Sequence, residues 1–219
     1  MNELIFLLHI TMISATLIVA NRIGLQALIG LMCIFAVLMN LFVTKQITLF
    51  GLTVTPTDAF VVGITLGINL IQEFYDRATA QRTIWVTFFT SLVTMLLSMI
   101  HLAYTPASVD TQHPHFTAIL GVMPRIVIAS LVTYLIVLYL DTRLYAILKY
   151  KLPFASLVTR NYLSISATQL VDTILFSILG LYGVVHSLAH IMIVSYAIKL
   201  SVIAIATPFV GLTKYFQPR

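Results

Sequence analysis

An all-α bundle of about seven membrane-spanning helices is the fold that this sequence predicts, and three observations carry the prediction. Of the 219 residues, 60% are hydrophobic and only 9% are charged, where soluble domains carry about a quarter charged residues. The apolar stretches are long enough for helices, each of which needs about 20 residues to cross the hydrocarbon, and they lack the roughly ten-residue alternation of an outer-membrane barrel. Basic residues also segregate to one side of successive stretches. The lipid bilayer is therefore the first partner to expect. The net charge of +5 reports topology before it reports an anionic ligand, so no direct nucleic-acid partner is expected.

The apolar segments run over about 4–20, 25–43, 56–75, 83–104, 116–140, 163–182 and 188–209. The first begins Met1-Asn2-Glu3 without a preceding Lys or Arg and without a clear small-residue cleavage site, which predicts a retained span rather than a signal peptide. Between the second and third segments, the β-prone stretch 44–55 with Gly51 at its centre predicts a short hairpin-like loop or a re-entrant piece. The stretch 110–115 is a polar loop containing Pro114. From Asp141 to Arg160 the chain is basic and amphipathic, and Tyr145, Leu148 and Leu152 are expected along the membrane surface.

With the N-terminus outside, Arg22, Arg77, Arg82, Arg143, Lys149, Lys151, Arg160, Lys214 and Arg219 are cytoplasmic and only Lys45 is external. Arg125 and Lys199 fall within spans. The positive-inside bias thus predicts an N-out, C-in chain. Cys33 lies inside an apolar span, so neither a disulfide nor a cysteine metal site is expected. No phosphate-binding loop and no soluble domain are present in the pattern, and residues 1–219 read as a single transmembrane domain.

The polar residues inside the spans carry the functional expectation. Glu73, Arg125, Asp172 and Lys199 fall at membrane depth, where an unpaired charge costs about 2.5 to 3.5 kcal/mol on insertion scales. Two negatives and two positives can cancel, and charges inside a bundle face one another or a water-filled cavity. In the third segment Asn69, Gln72, Glu73 and Asp76 follow helical spacing and predict a polar lining. In the sixth, Gln169, Asp172, Thr173 and Phe176 share a stripe. In the seventh, Tyr196 and Lys199 share a face. Arg125 follows Pro124, which frees carbonyls in the preceding turn. Asn40 adds an amide that serves either the site or plain interhelical adhesion. Glu73 either lines the path or pairs with Arg77 one turn on. His186 and His190 stand four apart but have no companion carboxylate, so no metal and no cofactor is expected.

These pieces resemble the queuosine precursor transporter family, also called vitamin uptake-like membrane proteins. The match rests on Asn40 with Lys45 before the β-prone loop, the run from Asn69 to Arg82, Pro124-Arg125 with the apolar run to Ser130, the run from Gln169 to Phe176, and Tyr196 to Lys199 with Thr207-Pro208 behind. They keep order and spacing over about 30–215, which leaves 1–24 as an extra N-terminal span. The chain departs from the family pattern in having Asn69 where Asp is usual and Asp76 where Gly is usual.

The resemblance implies a multi-pass protein of the bacterial inner membrane that imports a 7-deazaguanine base or queuine for transfer RNA modification. It further implies that Asp172 holds the base edge, with Gln169, Asn69 and Asn40 in support, Phe176 or Tyr196 stacking on the ring, and Glu73 serving a substrate cation or a gate. Arg125 and Lys199 would hold the carboxylates ionised, and Arg77 would belong to the cytoplasmic rim. Two other classes stay open on the residues alone. One is a binding subunit served by an external ATPase, for which no small-residue docking stripe stands out. The other is an intramembrane enzyme, for which no nucleophile and base are paired. Association with a second copy of the chain stays open.

Overall fold

The computed structural model describes residues 1–43, 45–121, 124–183 and 188–215, without the side chains of 124–127, 181, 214 and 215. It is an all-α bundle with one small hairpin. In chain order the elements are α1 (Asn2–Ile23), α2 (Leu25–Phe42), β1 (Ile47–Leu49), β2 (Leu52–Val54), α3 (Asp58–Phe74), α4 (Arg77–Leu102), α5 (His113–Leu120), α6 (Pro124–Lys151), α7 (Leu157–Phe176) and α8 (Leu188–Gly211). A π-helical turn, Ser177–Leu181, extends α7, and a 3₁₀ turn, Leu212–Tyr215, follows α8. Among the described residues six helices are long and apolar enough to cross a membrane: α1, α2, α4, α6, α7 and α8.

Helix α3 is shorter, at 17 residues, and lies in the middle of these six. It packs against α1, α2, α4, α6, α7 and α8, and its buried set includes residues on every side of the helix. A helix that is apolar all round belongs in a core. Gly63 and Gly67 let its neighbours approach: a Cβ on Gly67 would lie 2.2 Å from Met32 Sδ of α2, and one on Gly63 would lie 2.7 Å from Ile13 Cγ2 of α1. Helix α1 also joins this core, burying Phe6, Ile10, Ile13 and Leu17.

Local signals explain where the helices start and turn. Gly24 takes φ 127° between α1 and α2, a conformation that a side chain disfavours. Asp76 caps α4 by accepting a bond from the Thr79 amide at 2.8 Å, and Ser156 caps α7 through the Thr159 amide at 3.1 Å. In the hairpin, Phe50 and Gly51 both have positive φ, as a two-residue turn between antiparallel strands requires. The start of α1 holds this turn, since Asn2 donates to the Thr48 carbonyl and the Phe50 amide donates to Glu3. The hairpin therefore marks the end of the bundle where α1, α3 and α8 begin.

Three expectations about the chain path are corrected. The segment 116–140 is not one span, because α5 ends at Leu120 and α6 begins at Pro124, a residue suited to a first helical turn. The basic stretch after Asp141 does not lie flat on the membrane: α6 continues through it to Lys151, and Tyr145 is completely buried. Asp76 does not extend the polar face of α3, because α3 ends at Phe74 and Asp76 caps the next helix.

Candidate functional site

A cavity of about 820 Å³ opens beneath the hairpin, bounded by α2, α3, α6, α7, the π-helical turn and α8. Its floor is ionic. Lys199 of α8 donates to Asp172 of α7 and, at 3.2 Å, to Thr173 Oγ1, and its ammonium stands 3.9 Å from Asp58 at the start of α3. Ser195, one turn from Lys199 on α8, donates to Asp58 at 3.3 Å. Two carboxylates against one ammonium leave this floor with one negative charge in excess. A charge in low-dielectric surroundings needs such a partner, so three different helices are pinned at one point.

Aromatic and hydroxyl groups complete the lining. Tyr134 and Phe176 supply rings, and Ser130, Thr133 and Ser177 supply hydroxyls. Tyr134 is itself fixed, donating to Thr87 of α4 at 2.6 Å. Thr133 Oγ1 is buried without a hydrogen-bond partner, which makes it an uncommitted polar atom of the cavity lining. The π-helical turn that carries Ser177 interrupts the regular ladder, and such turns recur at functional sites.

Of the residues singled out in the sequence, Asp172, Thr173, Phe176, His190 and Lys199 border this cavity. Gln169 and Asn69 lie deeper in the packed interior, where Gln169 donates to Thr65 at 3.5 Å and Asn69 donates to Asn161 at 2.9 Å. Gln72 donates to the Thr142 carbonyl at 3.0 Å, so this polar face of α3 meets α6 and α7 and does not line the cavity. Tyr196 ties α8 to α7 by donating to the Ser166 carbonyl at 3.1 Å. Asn40 donates to the Ala36 carbonyl and borders a separate, small hollow between α2, α4 and α5. Arg125 stands in the first turn of α6 with its side chain outside the described part, and His186 lies outside the described residues.

Glu73 belongs to neither the cavity nor the predicted pair with Arg77. At the opposite end of the bundle its carboxylate accepts from Arg160 at 2.8 Å and from Tyr145 at 3.2 Å, with Lys149 at 2.9 Å. The Arg160 guanidinium also stands 5.7 Å from the centre of the Tyr145 ring. Arg77 is exposed. The cluster joins α3, α6 and α7 below the cavity.

Sequence reasoning missed Asp58, Asp141 and Arg160. Asp58 sits at an apparent span edge beside Pro56 and Thr57 and reads as a helix start. Asp141 and Arg160 read as members of a basic surface stretch. The available signal was the length of the apolar run: continuing α6 to Lys151 places Asp141 in the same helix as Ser130 and Thr133.

Residues 59–213 match a family model described as "Putative vitamin uptake transporter". The chain is also 30% identical over 201 residues to a "Probable queuosine precursor transporter" of Bacillus subtilis (strain 168), covering 90% of this chain and 86% of that protein. No solved structure matches the chain.

Proposed function

The chain belongs to the vitamin uptake transporter family, and from that premise we propose that it imports a queuosine precursor, a 7-deazaguanine base or queuine, across the bacterial cytoplasmic membrane. As a multi-pass membrane transporter it is not an enzyme. The observation that carries the finer reading is the cavity floor, where Asp58 and Asp172 share one ammonium, Lys199, beneath the rings of Tyr134 and Phe176.

A 7-deazaguanine edge offers adjacent N–H donors that one carboxylate accepts as a pair, and its flat faces suit an aromatic wall. An aminomethyl cation on the base would balance the excess negative charge. The cavity volume lies within the range of about 300–1,000 Å³ usual for small-molecule sites. Asp172 accepts the base edge in this reading, Lys199 orients both carboxylates, Phe176 or Tyr134 stacks, and Thr133 offers its free hydroxyl. Gln169 and Asn69 act from behind by holding α7 and α3. Seven helices, α3 included, cross the membrane, with the hairpin end outward. The cavity then faces outside, and the Glu73 cluster closes the cytoplasmic side.

Competition uptake tests the substrate. In cells expressing the chain, uptake of labelled queuine should be suppressed by the aminomethyl and cyano 7-deazaguanine precursors and spared by adenine. Suppression by guanine and adenine alone would remove the 7-deazaguanine assignment. Asp172→Asn, present in the membrane at the parental level, should lose uptake by more than tenfold. Parental uptake in that variant would show that Asp172 does not hold the substrate.

A further inference from the structure

Two ionic groups account for Glu73, Arg160, Lys149, Asp58, Asp172 and Lys199, and both leave Asp141 aside. Asp141 stands about two turns deeper along α6 than the cavity residues Thr133 and Tyr134, and it is completely buried. Its Oδ1 accepts from Ser164 Oγ at 2.5 Å and from Thr168 Oγ1 at 3.0 Å, both on α7. Its Oδ2 is buried with no hydrogen-bond partner. Among the described residues the nearest cations are committed elsewhere, Arg160 and the partly exposed Lys149 to Glu73, and Lys199 to Asp172 and Asp58.

The surroundings are rich in acceptors. Asn69, whose amide nitrogen donates to Asn161 and lies beside the Asp141 carboxylate, and Gln72, bound to the carbonyl of the adjacent Thr142, each leave a buried amide oxygen without a donor. An ionised carboxylate with no counter-charge is costly in such a place, and a proton removes the cost. Protonation also turns Oδ2 into a donor where buried amide oxygens lack one. We propose that Asp141 is a proton-binding site, distinct from the substrate cavity, which is loaded and emptied once in each transport cycle. The inference rests on the transporter reading for its cycle but not for its chemistry.

The neighbouring charged groups leave Asp141 alone in its layer. Glu73 of α3 and Arg160 of α7 meet Tyr145 of α6 at one end. Asp58 of α3 and Asp172 of α7 meet Lys199 at the other. On α4, Arg77 and Arg82 are exposed. The π-helical turn brings no titratable group.

Helix α7 links the two sites. Ser164, Thr168 and Asp172 stand four residues apart on one face, so the donors of Asp141 and a carboxylate of the cavity ride on the same helix. The ionised carboxylate holds both hydroxyls as donors, whereas the neutral acid needs them less and frees α7 to shift. A proton arriving from water on one side of the membrane is carried on Oδ2 and returned to water on the other side, with no other bond made or broken.

The test is infrared difference spectroscopy on the full chain in lipid nanodiscs, with pH stepped from about 5 to about 9. The wild type should show a carboxylic-acid carbonyl component that disappears as pH rises and that Asp141→Asn removes, while any component from Asp58 or Asp172 stays in both. Ser164→Ala and Thr168→Ala keep the carboxyl group but remove donors to its ionised form, so each should move the band's midpoint up by about one pH unit. Identical bands in the wild type and Asp141→Asn, midpoints unmoved in the serine and threonine variants, or a change produced by exchanging sodium for choline at constant pH would each overturn the proposal. If the band behaves as expected while the wild type takes up no queuine, the transport reading fails and the proton site stands. If uptake is normal and the band is insensitive to Asp141, the proton site alone falls.

Discussion

Lys199 and Asp172 form an ion pair between α8 and α7 with side chains only 4% and 14% exposed, and Asp58 of α3 stands 3.9 Å from the same ammonium. One lysine thus serves two carboxylates that the chain brings from far apart in sequence. Lys199→Ala should lower stability by about 3–5 kcal/mol because it strands both carboxylates in the interior. Lys199→Met combined with Asp58→Asn and Asp172→Asn removes the charges together and should recover most of the loss. Denaturation in detergent micelles, followed by circular dichroism, measures both. Equal loss in the single and the triple variant would mean that packing, not charge, sets the cost.

Glu73 and Arg160 define the other ionic point. Arg160→Met leaves Glu73 with Lys149 and the Tyr145 hydroxyl, so the loss should fall near the lower end of about 3–5 kcal/mol. A double-mutant cycle with Glu73→Gln should give a coupling of about 0.5–3 kcal/mol. A coupling of zero would show that the pair is spectator to the fold.

Gly67 sets how closely α3 approaches α2. Gly67→Ala meets the flexible end of Met32 and should be tolerated with a small loss, whereas Gly67→Val should cost about 1–3 kcal/mol by overpacking. Met32→Ala in the Gly67→Val background makes room and should restore part of that loss. The readout is the melting temperature of the purified protein, and a Gly67→Val variant as stable as the parent would contradict the close approach.

The orientation is open to direct labelling. In a Cys33→Ala background, Lys45→Cys should react with an impermeant maleimide added to intact cells, and Arg82→Cys should react only after permeabilisation. Both positions are exposed. The reverse pattern would place the hairpin and its cavity on the cytoplasmic side and turn the proposed importer around.

Much of the fold was legible in the sequence because lipid imposes a simple rule: backbone groups in hydrocarbon must be satisfied within a helix, so long apolar runs become helices. That rule located six spans and the hairpin between α2 and α3. It was least informative where helices run past the apolar stretch into protein. Helix α6 carries Asp141, Arg143 and Tyr145 beyond Leu140, and a polarity pattern cannot distinguish a side chain facing water from one facing Ser164 and Thr168. The same ambiguity left Glu73 either on the substrate path or with Arg77, its neighbour in sequence, when Arg160 and Lys149 were its neighbours in space.

By itself the sequence determined the helical class, the segregation of basic residues, the family, and the presence of Asp172, Phe176 and Lys199 on helices able to share a site. Local periodicity and composition suffice for these. Only the tertiary structure decided that Asp58 joins that site, that Asn69 and Gln169 lie behind it, and that Asp141 is buried without a counter-charge among the described residues. Each of these depends on which face of one helix meets which face of another. Such contacts join residues as far apart as Asp58 and Ser195, and they are fixed by the fit of Gly63 and Gly67 against their neighbours and by the cost of leaving any charge unpaired in lipid.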